Sequence, residues 1–189
     1  MRAVAKNMLK LIFVLSLTLS HCATVKEKPP EPNVQWQQPL AGSPENELKG
    51  IAAFLRAKFY NDLEMIAPAD RKFSYEVTDL NQDSEPEYLV IIRGNFFCGK
   101  HGCSAFLLDS RYNQISRFWA ATPPVFVLKS KKEGWHSLGM HSDTKSCSHK
   151  VSWQNGSYAQ KPWEHPCVST KSFTLAEYFT SKKMPEHKF

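Results

Sequence analysis

Eight short runs rich in β-branched and aromatic residues, most separated by turn-forming residues, leave this chain few folds to choose from. They are Lys72 to Val77, Tyr88 to Arg93, Ser104 to Leu108, Ile115 to Ala120, Val125 to Leu128, Trp135 to Met140, Lys150 to Gln154 and Ser157 to Gln160. Segments of this length suit strands better than helices. The short connections imply antiparallel pairing, because a parallel crossover needs a longer link. Asn155-Gly156 is the clearest hairpin signal, since a two-residue type I′ turn needs positive φ at both central positions. Ahead of these runs, Leu48, Ile51, Ala52, Leu55, Phe59, Leu63 and Ile66 recur at helical spacing, with Ser43 placed as N-cap and Pro44 in the first turn. Behind them, Thr174 and Glu177 form a capping box, and Phe173 and Tyr178 stand at the hydrophobic-staple positions, so a second helix is expected. The expected class is α+β: an antiparallel β meander or sandwich of about eight short strands flanked by an N-terminal and a C-terminal helix.

Five cysteines divide into Cys22 near the start and an even set of Cys98, Cys103, Cys147 and Cys167. An even set suits an oxidising compartment. Cys98-Gly-Lys-His-Gly-Cys103 brackets a tight loop whose glycines let the backbone fold back. Pairing those two leaves Cys147 with Cys167, the connectivity that encloses the shortest loops. Zinc is the competing use: Cys98, His101 and Cys103 with His149 or His141 as a fourth ligand, or His136, His141 and His149 converging across strands. Oxidising conditions favour the disulfides over free thiolates.

The first residues bear on location. Arg2, Lys6 and Lys10 precede the apolar run Leu11 to Leu19, which ends at Leu19-Ser20-His21-Cys22. The run is shorter than the roughly 20 apolar residues that span a bilayer, which favours a removed signal. A basic start, a short apolar stretch and a cysteine before a polar segment resemble a bacterial lipoprotein export signal. That resemblance implies a signal peptide over 1–22, lipidation of Cys22 and a membrane anchor. Ordinary secretion, with Ser20 and Cys22 as the cleavage recognition pair, is the other route. Residues 23–44 carry Pro29, Pro30, Pro32, Pro39 and Pro44 with few large apolar side chains beyond Trp36, the composition of a tether. Residues 45–189 fit one domain. Ala23 follows Cys22 where an aspartate commonly retains lipoproteins in the inner membrane, so by analogy the outer membrane, facing the periplasm, is expected; a soluble periplasmic or secreted protein is the alternative.

The full chain has a net charge of +6. The leader takes three of its basic residues, and what remains is mildly basic, without the aromatic-interleaved basic stripe of nucleic-acid binders. Nucleic acid is excluded as a partner on this reading.

The segment with the most chemistry is Asp79-Leu-Asn81-Gln-Asp83-Ser-Glu85-Pro-Glu87. Oxygen-bearing side chains at alternate positions can wrap a hard cation such as calcium. The segment resembles the Asp-x-Asn-x-Asp loops of FG-GAP and related β-repeat domains, which lead into a strand, as Tyr88 to Ile92 does here. The resemblance implies Asp79, Asn81, Asp83 and Glu87 as side-chain ligands and Glu85 as a backbone ligand. The competing reading is a polar turn in which Asp and Asn side chains cap backbone donors.

The stretch from Asn95 to Cys103 also resembles exported bacterial proteins of similar layout, a resemblance that implies no activity. Physically it is a stapled loop presenting Phe96, Phe97, Lys100 and His101, the expected contact surface. Phe96 and Phe97 sealing the core edge is the alternative. No nucleophile elbow, His-Glu-x-x-His motif or glycine-rich phosphate loop occurs. The expectation is a non-enzymatic envelope binding module without a catalytic residue, with calcium as its one expected cofactor and an envelope protein or cell-wall component as partner. The alternative is an inhibitor or immunity protein against a cell-wall hydrolase.

Overall fold

The computed structural model describes residues 42–142, 147–173, 175–178 and 184–189. Cys22, the expected leader and most of the expected tether, with Trp36, lie outside them. Helix α1 spans Pro44–Lys58. Ser43 caps it through its backbone, the carbonyl accepting from Asn46 N and Glu47 N at 2.8 and 3.1 Å. Glu45 and Glu47 in the first turn and Arg56 and Lys58 in the last suit the helix dipole. The helix stops before Phe59, and a 3-10 turn follows at Tyr60–Asp62. Phe59, Leu63 and Ile66 therefore leave the helical stripe, yet they pack into the same core.

Thirteen strands follow among the described residues: β1 Lys72–Thr78, β2 Glu87–Arg93, β3 Cys98–Gly99, β4 Gly102–Leu108, β5 Gln114–Ala121, β6 Val125–Lys132, β7 Trp135–His141, β8 Ser148–Val151, β9 Trp153–Gln154, β10 Ser157–Tyr158, β11 Cys167–Val168, β12 Leu175–Tyr178 and β13 His187–Lys188. All pair antiparallel. One sheet runs β13-β1-β2-β4, with β3 and β5 also paired to β4, and the other runs β11-β8-β7-β6-β12. Strands β9 and β10 form a separate hairpin. Its turn residues Asn155 and Gly156 have φ of 53° and 80°, the backbone that the Asn-Gly pair predicts. Glu133 and Gly134, at 51° and 85°, make the same kind of turn between β6 and β7.

The two sheets enclose one core, with Leu89, Ile91, Ala105, Leu107 and Phe118 from the first facing Val125, Val127, Leu138, Met140 and Val151 from the second. On the other face of the first sheet, Phe73, Tyr88, Val90, Ile92, Phe106 and Leu108 pack under Ile51, Ala52 and Leu55 of α1. Strand β2 is thus buried on both faces, which explains its unbroken apolar run where a half-exposed strand would alternate. Each fully buried Leu or Ile contributes about 1.5–3 kcal/mol of transfer free energy.

The second helix expected near the C-terminus does not form. Leu175–Tyr178 is strand β12, paired with Phe126 to Leu128 of β6. Thr174 lies outside the described residues. Without β12, β6 would be a sheet edge with unpaired backbone groups, and that demand outweighs the local capping signal. Two-residue strands β3, β11 and β13 are too short to leave a pattern in the sequence. Among the described residues, no helix is long and apolar enough to cross a membrane.

Candidate functional site at the disulfide-held end

In the β3–β4 hairpin, Gly99 pairs with Gly102 and Cys98 with Cys103, so Lys100 and His101 form the two-residue turn. A disulfide joins Cys98 to Cys103, with Cα atoms 3.9 Å apart. Gly102 has φ of +119°, and a Cβ there would stand 2.8 Å from Ala121 O and 2.5 Å from Thr122 Oγ1. Only glycine lets the hairpin lie this close to the end of β5. Thr122 Oγ1 donates to His101 O at 3.4 Å. The His101 ring stacks on Trp163, with centroids 5.6 Å apart and planes 14° from parallel. Trp163 belongs to the 3-10 turn Pro162–Glu164.

The second disulfide, Cys147–Cys167, has Cα atoms 5.6 Å apart. It serves the same end of the molecule, because Cys167 stands opposite His149 in the β11–β8 pairing. His149 is only 9% exposed. Its Nδ1 lies 2.7 Å from His165 O. Between the two sheets, Lys100, His101, Met140, His141, Ser142, His149 and Trp163, with Ala120 and Pro162, line a cleft of about 20 Å³. That is room for about one water molecule.

The structure thus brings Lys100, His101, His141 and His149 together, and adds Trp163, which no sequence motif marked. His136 stays apart. It lies an odd number of residues from His141, so the period of two along β7 turns the two side chains to opposite faces. Its Nδ1 sits 2.6 Å from Leu128 O inside the sandwich, where burial pushes its pKa down. Among the described residues, no three of His, Cys, Asp and Glu are placed to hold a metal ion. The Cys98, His101, Cys103 zinc alternative gives way to the disulfide.

Of the expected contact loop, Lys100 and His101 are exposed, as is Phe96 at 49%. Phe97 is not available: it is 8% exposed and packs edge-on against Phe59 at 4.9 Å. Phe97 therefore seals the core edge.

The Asp79 to Glu87 loop is built as a self-capped turn. Asp79 Oδ1 accepts from Gln82 N and Asp83 N at 2.6 and 3.2 Å, and its Oδ2 from Ser84 N at 2.9 Å. Asn81 Oδ1 accepts from Asp83 N, and Asp83 Oδ1 accepts from Glu85 N. Glu87 turns inward, its Oε2 accepting from Leu80 N at 2.6 Å. Burial, with smaller contributions from Asp79, Asp83 and Asp109, pushes its carboxyl up to about 8 against the opposing pull of the Leu80 N–H. These bonds are those of a polar turn in which Asp and Asn side chains cap backbone donors.

A second hollow, of about 310 Å³, is lined by Leu128, Ser130, Lys150, Ser172 and Phe173. Among the described lining residues, Lys150 is the one ionisable side chain.

The class defined so far is a two-sheet antiparallel sandwich with a helix on one face and two disulfides at one end. Comparison with protein-family models, curated proteins and solved structures returns no match.

Proposed function

We propose that this protein is a non-enzymatic binding module of the cell envelope, anchored by lipid at Cys22 and meeting its partner with the disulfide-held end. One observation carries the reading: both disulfides flank the same cluster, the exposed Lys100 and His101 and the half-buried Trp163, at one end of a sandwich that already has two cores. Fixing such a surface in advance lowers the entropy lost on binding. The cleft beside it is far below the roughly 300–1,000 Å³ of small-molecule pockets, which supports a contact face over a substrate pocket. The partner on this reading is an envelope protein or a cell-wall component.

The test is affinity purification of the full-length protein from its native envelope in mild detergent, beside the Lys100→Ala, His101→Ala double variant. A partner recovered in near-equal amount with wild type and lost with the variant is the expected result. Bait alone, or equal recovery with both, would overturn the reading. A second reading, inhibition of a cell-wall hydrolase, is favoured by the exposed Lys100 on a stapled turn, since glycosidase sites carry a pair of carboxylates that a cation can meet. Assay of muramidase activity against the purified protein separates it from the first.

A further inference from the structure

We infer that the corner formed by Tyr60, Met65, the Ala67-Pro68-Ala69 run and Phe96 is a membrane-contact surface that inserts at the headgroup boundary of the lipid bilayer. The inference rests on the lipid anchor proposed at Cys22 and goes beyond it in giving the folded domain its own contact with lipid. Three observations carry it. First, Tyr60, Met65 and Phe96 are 76%, 68% and 49% exposed, and Ala67, Pro68 and Ala69 are exposed beside them. They stand out from one buried cluster. Phe59, next to Tyr60, packs on Phe97, next to Phe96, at 4.9 Å, and Ile66, next to Met65, belongs to the same cluster. Asp70 Oδ1 accepts from Asn95 N at 3.0 Å and ties the two loops together. Large apolar side chains that protrude this far are costly to leave in water, and fluid lipid closes around each of them. The hot spots of protein interfaces are instead packed into close-fitting pockets.

Second, the backbone of this corner is paired within itself. Met65 N and Ile66 N donate to Asp62 O at 2.9 and 3.1 Å, and Asp70 N donates to Ala67 O at 2.8 Å. Arg71 donates from Nη2 to Leu63 O at 2.5 Å and from Nε to Ile66 O at 3.1 Å. Pro68 has no N–H to satisfy. A loop entering lipid needs its backbone groups paired inside the protein, whereas protein interfaces trap water that can serve them. Third, the bilayer is within reach. Tyr60 follows the far end of the 15-residue helix α1, about 22 Å from where the chain enters the domain. The roughly 20 residues between Cys22 and that point span about 25 Å as a coil and about 60 Å as an extended proline-rich spacer. Anchoring holds the corner at high effective concentration beside the bilayer, so a weak apolar contact suffices. The exposed charges around it, Arg56, Lys58 and Lys100 against Glu64, leave a surplus of cations for lipid phosphates.

The test takes the protein purified from its envelope, with isotope-labelled methionine methyl groups, into nanodiscs of phosphatidylethanolamine and phosphatidylglycerol with and without nitroxide-labelled headgroups. NMR should show the nitroxide cutting the Met65 signal by about threefold or more, while the buried Met140 and Met184 lose less. In the Tyr60→Ser, Phe96→Ser double variant, whose changes fall at exposed positions, Met65 should recover about half or more of that loss. An undiminished Met65 signal, equal losses at all three methionines, or the same loss in the double variant would each overturn the inference. Mass spectrometry of Cys22 reads the anchor separately: protein without lipid refutes the anchor, and adding the same discs to it still decides whether Met65 meets lipid. If the double variant loses a captured envelope protein while Met65 keeps its signal in the discs, the corner belongs to that protein partner and the lipid assignment falls.

Discussion

Replacing Glu87 with Gln tests how the buried end of the Asp79 loop is held together. Glu87 is 3% exposed and stands opposite Thr78 in the β1–β2 ladder, with its Oε2 2.6 Å from Leu80 N. Burial pushes its carboxyl from the ordinary 4.5 up to about 8. Between those values the folded protein keeps a proton that the unfolded chain has released. The associated stability is therefore complete below about pH 4.5 and is lost progressively as the pH rises to about 8, at about 1.4 kcal/mol per pH unit. Over the whole window the ceiling is about 5 kcal/mol. Glutamine keeps the size and an acceptor for Leu80 N but cannot ionise. Urea denaturation of wild type and variant across pH 5 to 8 should show similar stability at the acid end and a variant more stable by about 2–5 kcal/mol at the alkaline end. Other titrating groups occur in both proteins and cancel in the difference. Parallel pH profiles would refute the reasoning, because they would mean that Glu87 is ionised in the fold at no cost.

Gly102→Ala should destabilise by about 1–3 kcal/mol, because its positive φ strains any side chain and its Cβ would meet Ala121 O at 2.8 Å; thermal melting measures it. Removing the Cys147–Cys167 disulfide by paired Ser substitutions should cost about 3 kcal/mol on the chain-entropy estimate, read by urea denaturation. Leu107→Ala, in the centre of the inter-sheet core, should cost about 2–5 kcal/mol by the same measurement. Cys22→Ala should move the protein from the membrane to the soluble fraction if lipid is its anchor, seen by fractionating envelopes.

Local patterns account for most of the fold. The Leu48 to Leu55 stripe, the Asn155-Gly156 turn and the apolar run after Glu87 each encode a conformation within a few residues, and each forms as read. The disulfides were legible because short loops limit which cysteines can meet. The failures come where a distant partner decides. Thr174 to Tyr178 reads as a helix start in isolation, but the open side of β6 supplies a stronger partner than an isolated turn can. The site is a mixture of the two. Lys100 and His101 stand out in the sequence because the flanking cysteines frame them, whereas Trp163 and His149 reach them only through the packing of one sheet on the other. Odd spacing along a strand already separates His136 from His141.

The seating of the hairpin bears on which kind of partner fits. A loop that enters an enzyme's cleft must stand clear of its own domain. Here Gly102 lets the hairpin backbone lie against Ala121 and Thr122, and His101 is stacked on Trp163. What the turn offers is the Lys100 ammonium and the edge of a stacked pair, set into a face that includes the cleft. Such a face meets a protruding segment more readily than a recessed catalytic site. To serve as an inhibitor, the whole end of the sandwich would have to cap the hydrolase cleft with Lys100 alone reaching its carboxylates. Lys100→Ala would then abolish inhibition while Trp163→Ala lowered it only modestly, whereas a face-to-segment contact would lose about as much from either change, as centrally placed aromatic anchors do.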